Sequence, residues 1–189
     1  MQGVSGLNAN SAGKIQLDAG YVVVDFGEVG ERSLGATRAG GTLNLGASLR
    51  DIPVDGAISD YIKGFVRRNK INPTITVNLL ECSVDNWMNI IGGANKADFP
   101  DTSGKTHDLI TLGEIEDSDY LTNVTWIGSI AGKTQKLMIQ LENVLGDPNL
   151  SLSTADKDEM VITATFRGHV LPSAPTVPAI KIYEPIADA

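Results

Sequence analysis

The stretch that decides the fold of this chain spans residues 34–68 and reads LGATRAGGTLNLGASLRDIPVDGAISDYIKGFVRR. It begins with a glycine-rich turn and continues into alternating apolar and polar residues at 42–49. It then passes the turn pair Asp55-Gly56 and returns in a second alternating run at 61–66. Apolar residues at every second position are typical of a strand with one buried face. The stretch therefore predicts a strand, a long polar excursion and a returning strand.

The glycines of this stretch do not form a phosphate-binding loop. Gly35 and Gly40 have the four-residue gap of that motif, but Gly41-Thr42 stands where the motif requires Lys followed by Ser or Thr. Without the lysine nothing reaches the outer phosphates, and the residues that follow alternate as a strand instead of starting a helix. We interpret the glycines as a turn that needs positive φ values.

Composition favours a single β domain. A chain of 189 residues is long enough for one domain with a real core and protruding arms. Aromatic residues make up only 5%, so the core must be built from aliphatic side chains. The 20 glycines and 8 prolines divide the chain into short pieces, which favours strands over a helical bundle.

Charge, cysteine content and the first residues restrict the class of protein. A net charge of −8 argues against a grip on nucleic acid, which needs basic groups that displace counterions. Cys82 is the only cysteine, so no disulfide forms within the chain. The opening MQGVSGLNAN lacks the basic start and apolar core of a signal peptide. No apolar run reaches membrane-spanning length, so we expect synthesis in a cytoplasm and no membrane anchor.

Outside the opening stretch, β-branched and alternating runs predict further strands, at 21–26, 74–80, 109–112, 120–130, 136–145 and 160–170. One helix is expected at about 83–92, because Ser83 is a suitable N-cap and Val84, Trp87, Met88 and Ile91 recur with helical spacing. Gly92 and Gly93 end it. Residues 94–108 are predicted to form a polar loop.

Three segments follow from this pattern. Residues 1–18 are rich in Gly, Ser and Asn and are expected to form an N-terminal arm. Residues 19–170 form the β domain. Residues 171–189 contain four of the eight prolines and are expected to form an extended C-terminal arm that cannot pair fully in a sheet.

The residues that could carry chemistry do not form a recognisable site. His107 and His169 are isolated in sequence, and with Cys82 they do not make a nucleophilic or zinc-binding set. Neither the aspartates of 51–60 nor the acidic run 156–159 matches a calcium loop. We therefore expect a protein that is not an enzyme and that has no catalytic residues, no cofactor and no metal ion.

The order of features resembles a protein family. The segments on which the resemblance rests are GATRAGG at 35–41, RDIPVDG at 50–56, YIKG at 61–64, and TVNLLE at 76–81, which precedes the helix that contains Trp87. Across about 19–170 this order is similar to the bacteriophage major tail proteins, the subunits of the tail tube. The resemblance is one of pattern and order.

That resemblance implies a fold of two packed antiparallel sheets, a sandwich of barrel-like form, with one flanking helix. It also implies a structural subunit that assembles with itself into stacked six-fold rings around a channel. DNA passes through that channel without specific binding. Further partners would be the tape measure, terminator and baseplate or tip proteins, and the location would be the virion tail.

Two sets of residues are predicted to serve such an assembly. Because the polar excursion can reach a neighbouring subunit, its charged residues are the candidate contacts: Arg50, Asp51, Asp55 and Asp60. Polar strand faces are the candidate channel lining: Thr74, Thr76, Asn78, Gln140 and Glu142.

Two alternatives remain open from the sequence. The tube protein of a secretion or contractile injection device would share the fold and differ in cargo. A carbohydrate-binding sandwich on a virion would instead need exposed aromatic residues beside a groove. Trp87 and Trp126 are the only tryptophans, and Trp87 lies on the apolar side of the predicted helix, which gives this alternative little support.

Overall fold

The architecture was obtained from a computed structural model that describes residue 11 and residues 14–16, 18–131 and 133–185. The strands within these residues are β1 Tyr21–Val24, β2 Arg32–Ser33, β3 Thr37–Asn44, β4 Ala47–Asp51, β5 Val66–Ile71, β6 Thr74–Leu79, β7 Ala94–Pro100, β8 Thr106–Leu112, β9 Leu121–Gly128, β10 Leu137–Gly146, β11 Ser151–Ser153, β12 Val161–Gly168 and β13 Ile180–Tyr183. Helix α1 spans Val84–Ile90, and a 3-10 helix spans Asp117–Asp119.

Nine strands form one antiparallel sheet in the order β2-β1-β9-β10-β12-β6-β3, with β11 added beside β12 and β13 beside β10. Strand β10 has β9 along one edge and divides its other edge between two partners. Leu141 pairs with Ile180 of β13, whereas Val144 pairs with Gly168 of β12. Between them the amide of His169 donates to the carbonyl of Glu142 at 3.1 Å. The exchange of partners lets the sheet turn without losing backbone hydrogen bonds.

The sheet folds over so that its two halves enclose one hydrophobic core. One half contributes Val124 and Leu141, and the other contributes Val77 and Phe166, all completely or almost completely buried. The other members of the same cluster are Val22, Val24, Leu34, Ile75, Leu79, Ile90, Val144, Ile162 and Ala164. Burying each large aliphatic or aromatic side chain contributes about 1.5–3 kcal/mol.

Helix α1 closes the core beside the end of β10. The hydroxyl of Ser83 caps it by accepting from the amide of Asn86 at 3.1 Å, and the Asn86 side chain donates to the carbonyl of Leu34 at 2.9 Å. Ile90 is fully buried in the core cluster. A Cβ at Gly146 would lie 2.2 Å from the carbonyl oxygen of Ile90, so only glycine permits this close approach of helix and strand.

Much of the predicted fold is confirmed. The described chain is mainly β, its sheets are antiparallel, and it has one α-helix, which lies inside the predicted 83–92 and begins after Ser83. On β6, Ile75, Val77 and Leu79 are buried while the intervening polar residues are half-buried, as the alternation predicted. Alternation identified β6 because its two faces differ strongly in burial.

The expected pair of packed sheets is not what the structure contains. A single large sheet folds on itself, and two separate two-stranded sheets, β4-β5 and β7-β8, stand beside it. In the described part of the chain no barrel closes, because the terminal strands β2 and β3 do not pair with each other. Composition and strand count do not distinguish two sheets from one folded sheet, since both bury alternate residues against a shared core.

The strand boundaries predicted within residues 34–68 are wrong. Residues 42–49 were expected to form one strand, but β3 ends at Asn44 and β4 begins at Ala47. Between them Gly46 has a φ of 54°, and a Cβ there would lie 2.3 Å from the carbonyl oxygen of Asn72. The return strand begins at Val66, so residues 61–65 belong to the excursion. The kink at Gly46 separates β4 and β5 from the main sheet.

The glycine turn is a bulge inside β3. Gly35 and Gly40 have φ values of 92° and 69°, which confirms the need for positive φ. Ala39 also has a positive φ of 61°, and the register of β3 against β6 shifts between Thr37 and Gly41. Bulges insert extra residues into one strand and bend it. A glycine-rich segment is typical of both a bulge and a turn, so the sequence alone does not distinguish them.

The predicted loop at 94–108 is also wrong, because it forms the hairpin of β7 and β8. Asp101 organises the turn, accepting from the amides of Ser103 at 2.8 Å and Lys105 at 2.9 Å. All of β7 after its first residue is exposed, and so is most of β8. Because both faces are exposed and each mixes polar with apolar side chains, no period-two pattern marks β7, and only the end of β8 was predicted, as a strand at 109–112.

The two predicted arms are described in part. Of the N-terminal arm, residues 1–10, 12, 13 and 17 lie outside the described residues, and Gln16 forms an isolated bridge with Ile130. Of the C-terminal arm, Ile180–Tyr183 forms β13 beside β10, and residues 186–189 lie outside the described part.

We predict that Phe166→Ala destabilises the fold by about 3–5 kcal/mol, because it opens a cavity in the core. Phe166 is 0% exposed, whereas Phe99 is 53% exposed on the β7-β8 hairpin. The matched variant Phe99→Ala should therefore change the free energy of unfolding by less than about 0.5 kcal/mol. Urea unfolding of the unassembled protein measures both. Equal effects of the two substitutions would contradict the assignment of the core.

Candidate assembly surfaces

The most exposed element of the molecule is the arm, which we define as residues 47–71: β4, the loop 52–65 and β5. Its strands pair with each other and with no other strand of the described chain. At its base the amide of Asn72 donates to the carbonyl of Gly46 at 3.3 Å, and at the loop the amide of Ile52 donates to the carbonyl of Phe65 at 2.9 Å. The arm is therefore a hairpin that extends from the main sheet.

The register gives the arm two different faces. Arg50 lies directly opposite Arg67, and Lys70 lies opposite Ser48 on the same face. We call Arg50, Arg67 and Lys70 the basic face. The other face carries the apolar side chains of β4 and β5, among them Leu49, which is 66% exposed. Neither face is covered by the main sheet.

Large apolar side chains are exposed along the whole arm. Ile58 and Tyr61 in the loop are 108% and 82% exposed, and Val54, Phe65 and Val66 are also exposed. A hairpin of two strands is at best marginally stable alone in water, and large apolar patches on a surface mark interaction sites. The arm therefore has the properties of an element that is stabilised by a partner.

The predicted contact residues Arg50, Asp51, Asp55 and Asp60 all lie on the arm. The structure brings Arg50, Asp51 and Asp60 around one open cleft between β4 and the loop, whereas Asp55 lies outside it. No ion pair within the described residues engages any of the four. Their charges remain available for a partner.

Sequence reasoning missed the cations of the returning strand. Residues 47–71 contain five Lys or Arg and three Asp, a net charge of +2, so the remaining residues carry −10. The run RRNK at 67–70 was the signal, but without a register it did not show which cation shares a face with Arg50. The arm is a basic element on an acidic protein.

The β7-β8 hairpin is the second exposed element. Asp98 lies directly opposite Asp108, and Nζ of Lys96 lies 2.9 Å from Oδ1 of Asp108. That ion pair raises the pKa of Lys96, first through the hydrogen bond with Asp108 and then through attraction to Asp108, Asp98 and Asp85. Leu112, on the same face, is 71% exposed. The hairpin thus combines carboxylates with an exposed apolar side chain.

The first set of predicted channel residues lies on the face of β6 away from the core. Hydroxyls of Thr76 and Thr165 are 2.9 Å apart, and the Thr163 hydroxyl donates to Oδ1 of Asn78 at 2.8 Å. Thr74 lies opposite Arg167 at the end of the same pair of strands. The surface is a ladder of hydroxyl and amide groups and is uncharged over most of its length.

The second set lies on the other half of the folded sheet. Glu142 forms an ion pair with Lys181, and the Tyr183 hydroxyl donates to Oε1 of Gln140 at 3.0 Å. The hydrogen bond with Glu142 raises the pKa of Lys181. Because β13 covers this side of β10, Gln140 and Glu142 are satisfied by the chain itself. The two sets do not form one surface.

The described residues contain no group of three or more His, Cys, Asp and Glu placed to hold a metal ion. His107 lies 3.2 Å from Asp101, and the His169 ring meets Tyr120 edge-on. A cavity of about 280 Å³ lies between the two halves of the sheet beside Trp126 and Ile139, and no titratable side chain lines it.

Comparisons with known proteins add no family. No protein-family model matches the chain, and no curated protein matches it. Within the described part of the chain, no helix has the length and apolarity needed to cross a membrane.

We predict that the turn of the β7-β8 hairpin loosens in acid with a midpoint near pH 2. Hydrogen bonds from the Ser103 hydroxyl and then the Lys105 amide lower the pKa of Asp101 to about 2. A lowered folded-state pKa means that the carboxylate stabilises the turn at neutral pH and loses this effect as pH falls from about 4 towards 2. Amide chemical shifts of Ser103 and Lys105 between pH 5 and 1.5 measure the transition. Asp101→Asn should abolish it, and a midpoint near 3.8 would contradict the hydrogen-bonded turn.

Proposed function

We propose that this protein is a structural subunit that assembles with itself into stacked six-fold rings, forming the hollow tail tube of a bacteriophage. The observation that carries the proposal is the arm, a long exposed hairpin that pairs only with itself. The order of motifs at 35–41, 50–56, 61–64 and 76–81 supports the same family, and the antiparallel folded sheet with one helix is compatible with it.

Assembly of this kind needs two different contacts. A ring requires a head-to-tail contact whose rotation closes, and a stack requires a second contact that does not close. The folded sheet has free edges at β2 and β3, which suit lateral contact because pairing covers edges that otherwise aggregate. The arm suits contact with the next ring, since it extends away from the sheet.

A DNA channel also suits the charge of the molecule. The chain carries −8 in total, and the Thr-rich face of β6 and β12 is largely uncharged. A neutral or acidic wall does not replace the counterions of the phosphate chain, so DNA slides past without being held. We propose this face as the channel lining and place the protein in the virion tail. Its further partners are then the tape measure, terminator and baseplate or tip proteins.

We predict that removing the arm abolishes tube formation and leaves the fold intact. Because the amide of Asn72 already bonds to the carbonyl of Gly46, an Asn-Gly turn can replace residues 47–71 with little strain. Negative-stain microscopy and light scattering measure assembly, and circular dichroism measures folding. Wild-type protein should form tubes, and the shortened protein should stay folded and form nothing larger than a single ring.

Wild-type protein that stays monomeric at high concentration would contradict the proposed function. Tubes formed by the shortened protein would contradict only the role of the arm.

A single substitution in the arm should weaken assembly, whereas a matched substitution outside the arm should not. Ile58 on the arm and Val29 on the β1-β2 loop are both 108% exposed, so neither stabilises the isolated fold. Burial of a large aliphatic side chain contributes about 1.5–3 kcal/mol, so Ile58→Ser should raise the critical concentration for assembly about tenfold or more. Val29→Ser should leave it unchanged. Equal effects would show that Ile58 is not buried at a contact.

A further inference from the structure

Two exposed hairpins of this chain carry like-charged pairs of opposite sign. On the arm Arg50 lies directly opposite Arg67, and on the β7-β8 hairpin Asp98 lies directly opposite Asp108. Like charges at directly opposed positions destabilise an antiparallel pair. Each hairpin is therefore less stable alone than it would be with a mixed pair, and the opposed pair of each has the sign opposite to that of the other.

The arginines find no counter-ion among the described residues of their own subunit. No ion pair joins either of them to a carboxylate of the described residues. The Arg67 guanidinium donates only to backbone carbonyls, those of Gly64 at 2.9 Å and Val66 at 3.1 Å. The basic face is thus a set of unpaired cations on an element with exposed apolar neighbours.

The aspartates are only partly neutralised. Lys96 bonds to Asp108 and is also attracted to Asp98 and Asp85, so three carboxylates surround one ammonium group. On the hairpin face the two opposed carboxylates of Asp98 and Asp108 share the single ammonium group of Lys96 and keep an excess of negative charge. The exposed side chain of Leu112 on the same face offers apolar contact beside the carboxylates.

We propose that the Arg50–Arg67 pair on the arm of one copy docks on the Asp98–Asp108 pair on the β7-β8 hairpin of a second copy. The inference rests on the proposed function, because it names the contact through which the arm joins its neighbour. The occupant is a second copy because the same chain carries both charge patterns. A head-to-tail contact of this kind repeats from copy to copy, as a growing stack requires.

Charge reversal tests the pairing. The variant R50E/R67E has an acidic arm, and the variant D98K/D108K has a basic acceptor hairpin. Each alone should raise the critical concentration for assembly by more than about tenfold, because like charges then face each other across the contact. An equimolar mixture of the two variants should assemble at close to the wild-type concentration, since each arm then meets an acceptor of opposite sign.

A matched control separates position from net charge. K14E/K157E changes the charge by the same amount as R50E/R67E, but both lysines are exposed and lie outside the arm and the β7-β8 hairpin. It should leave the critical concentration within about threefold of wild type, because exposed charges away from a contact interact weakly. Circular dichroism of each unassembled variant verifies that it is folded.

The outcomes distinguish this inference from the proposed function. Wild-type protein that never assembles contradicts both. If wild-type protein assembles but the mixture of variants does not, the Arg–Asp pairing is wrong. The same holds if either reversed variant assembles normally. Neither outcome contradicts the proposed function as a tube subunit. The alternative role of a basic face is DNA binding, which is tested with a duplex of about 20 base pairs. If R50E/R67E assembles normally but loses salt-dependent DNA binding, the arginines contact DNA instead.

Discussion

The fold depends on the way β10 divides one edge between two strands. Leu141 is the last residue that pairs with β13, and Val144 is the first that pairs with β12. Asn143, with a φ of 49°, takes up the change in direction, and its side chain donates to the carbonyl of His169 at 3.1 Å. Because Glu142 donates to the carbonyl of Ala179 and accepts from the amide of His169, backbone hydrogen bonds continue through this corner while the sheet folds over and buries both halves against each other.

The same folding explains which parts of the chain are left outside. A core closed by two halves of one sheet and sealed by Ile90 of α1 has no room for β4 and β5 or for β7 and β8. These hairpins gain little burial from their own subunit, with Ala94 of β7 the buried residue among them. Their exposed apolar side chains stay in contact with water, which is unfavourable. The elements that stabilise the subunit and the elements that can join subunits are therefore separate.

Sequence reasoning succeeded where burial differs between the two faces of an element. Ile75, Val77 and Leu79 alternate with polar residues, and the Ser83 cap with its helical spacing marks α1. It failed for β7 and for the first residues of β8, which are exposed on both faces and leave no pattern to read, whereas the end of β8 was predicted as a strand at 109–112. It found the acidic residues of the arm but not the basic face, because that face exists only through pairing between residues 17 apart, Arg50 and Arg67. Register is a long-range property that one strand does not encode.

The register of the arm also argues that its charges serve something beyond the hairpin. Asn69 is bulged, so Ser48 pairs with Lys70 and Leu49 with Arg68. Without the bulge Asp51 would lie opposite Arg67, a favourable pair worth about 0.2–1 kcal/mol, and Arg50 would lie opposite Arg68. Both registers therefore contain one pair of opposed arginines, and the bulge gives up only the Asp51–Arg67 pair. A hairpin that had only to stabilise itself would gain from the regular register, whereas the bulged register leaves Asp51 and Arg67 to pair with charges of a partner.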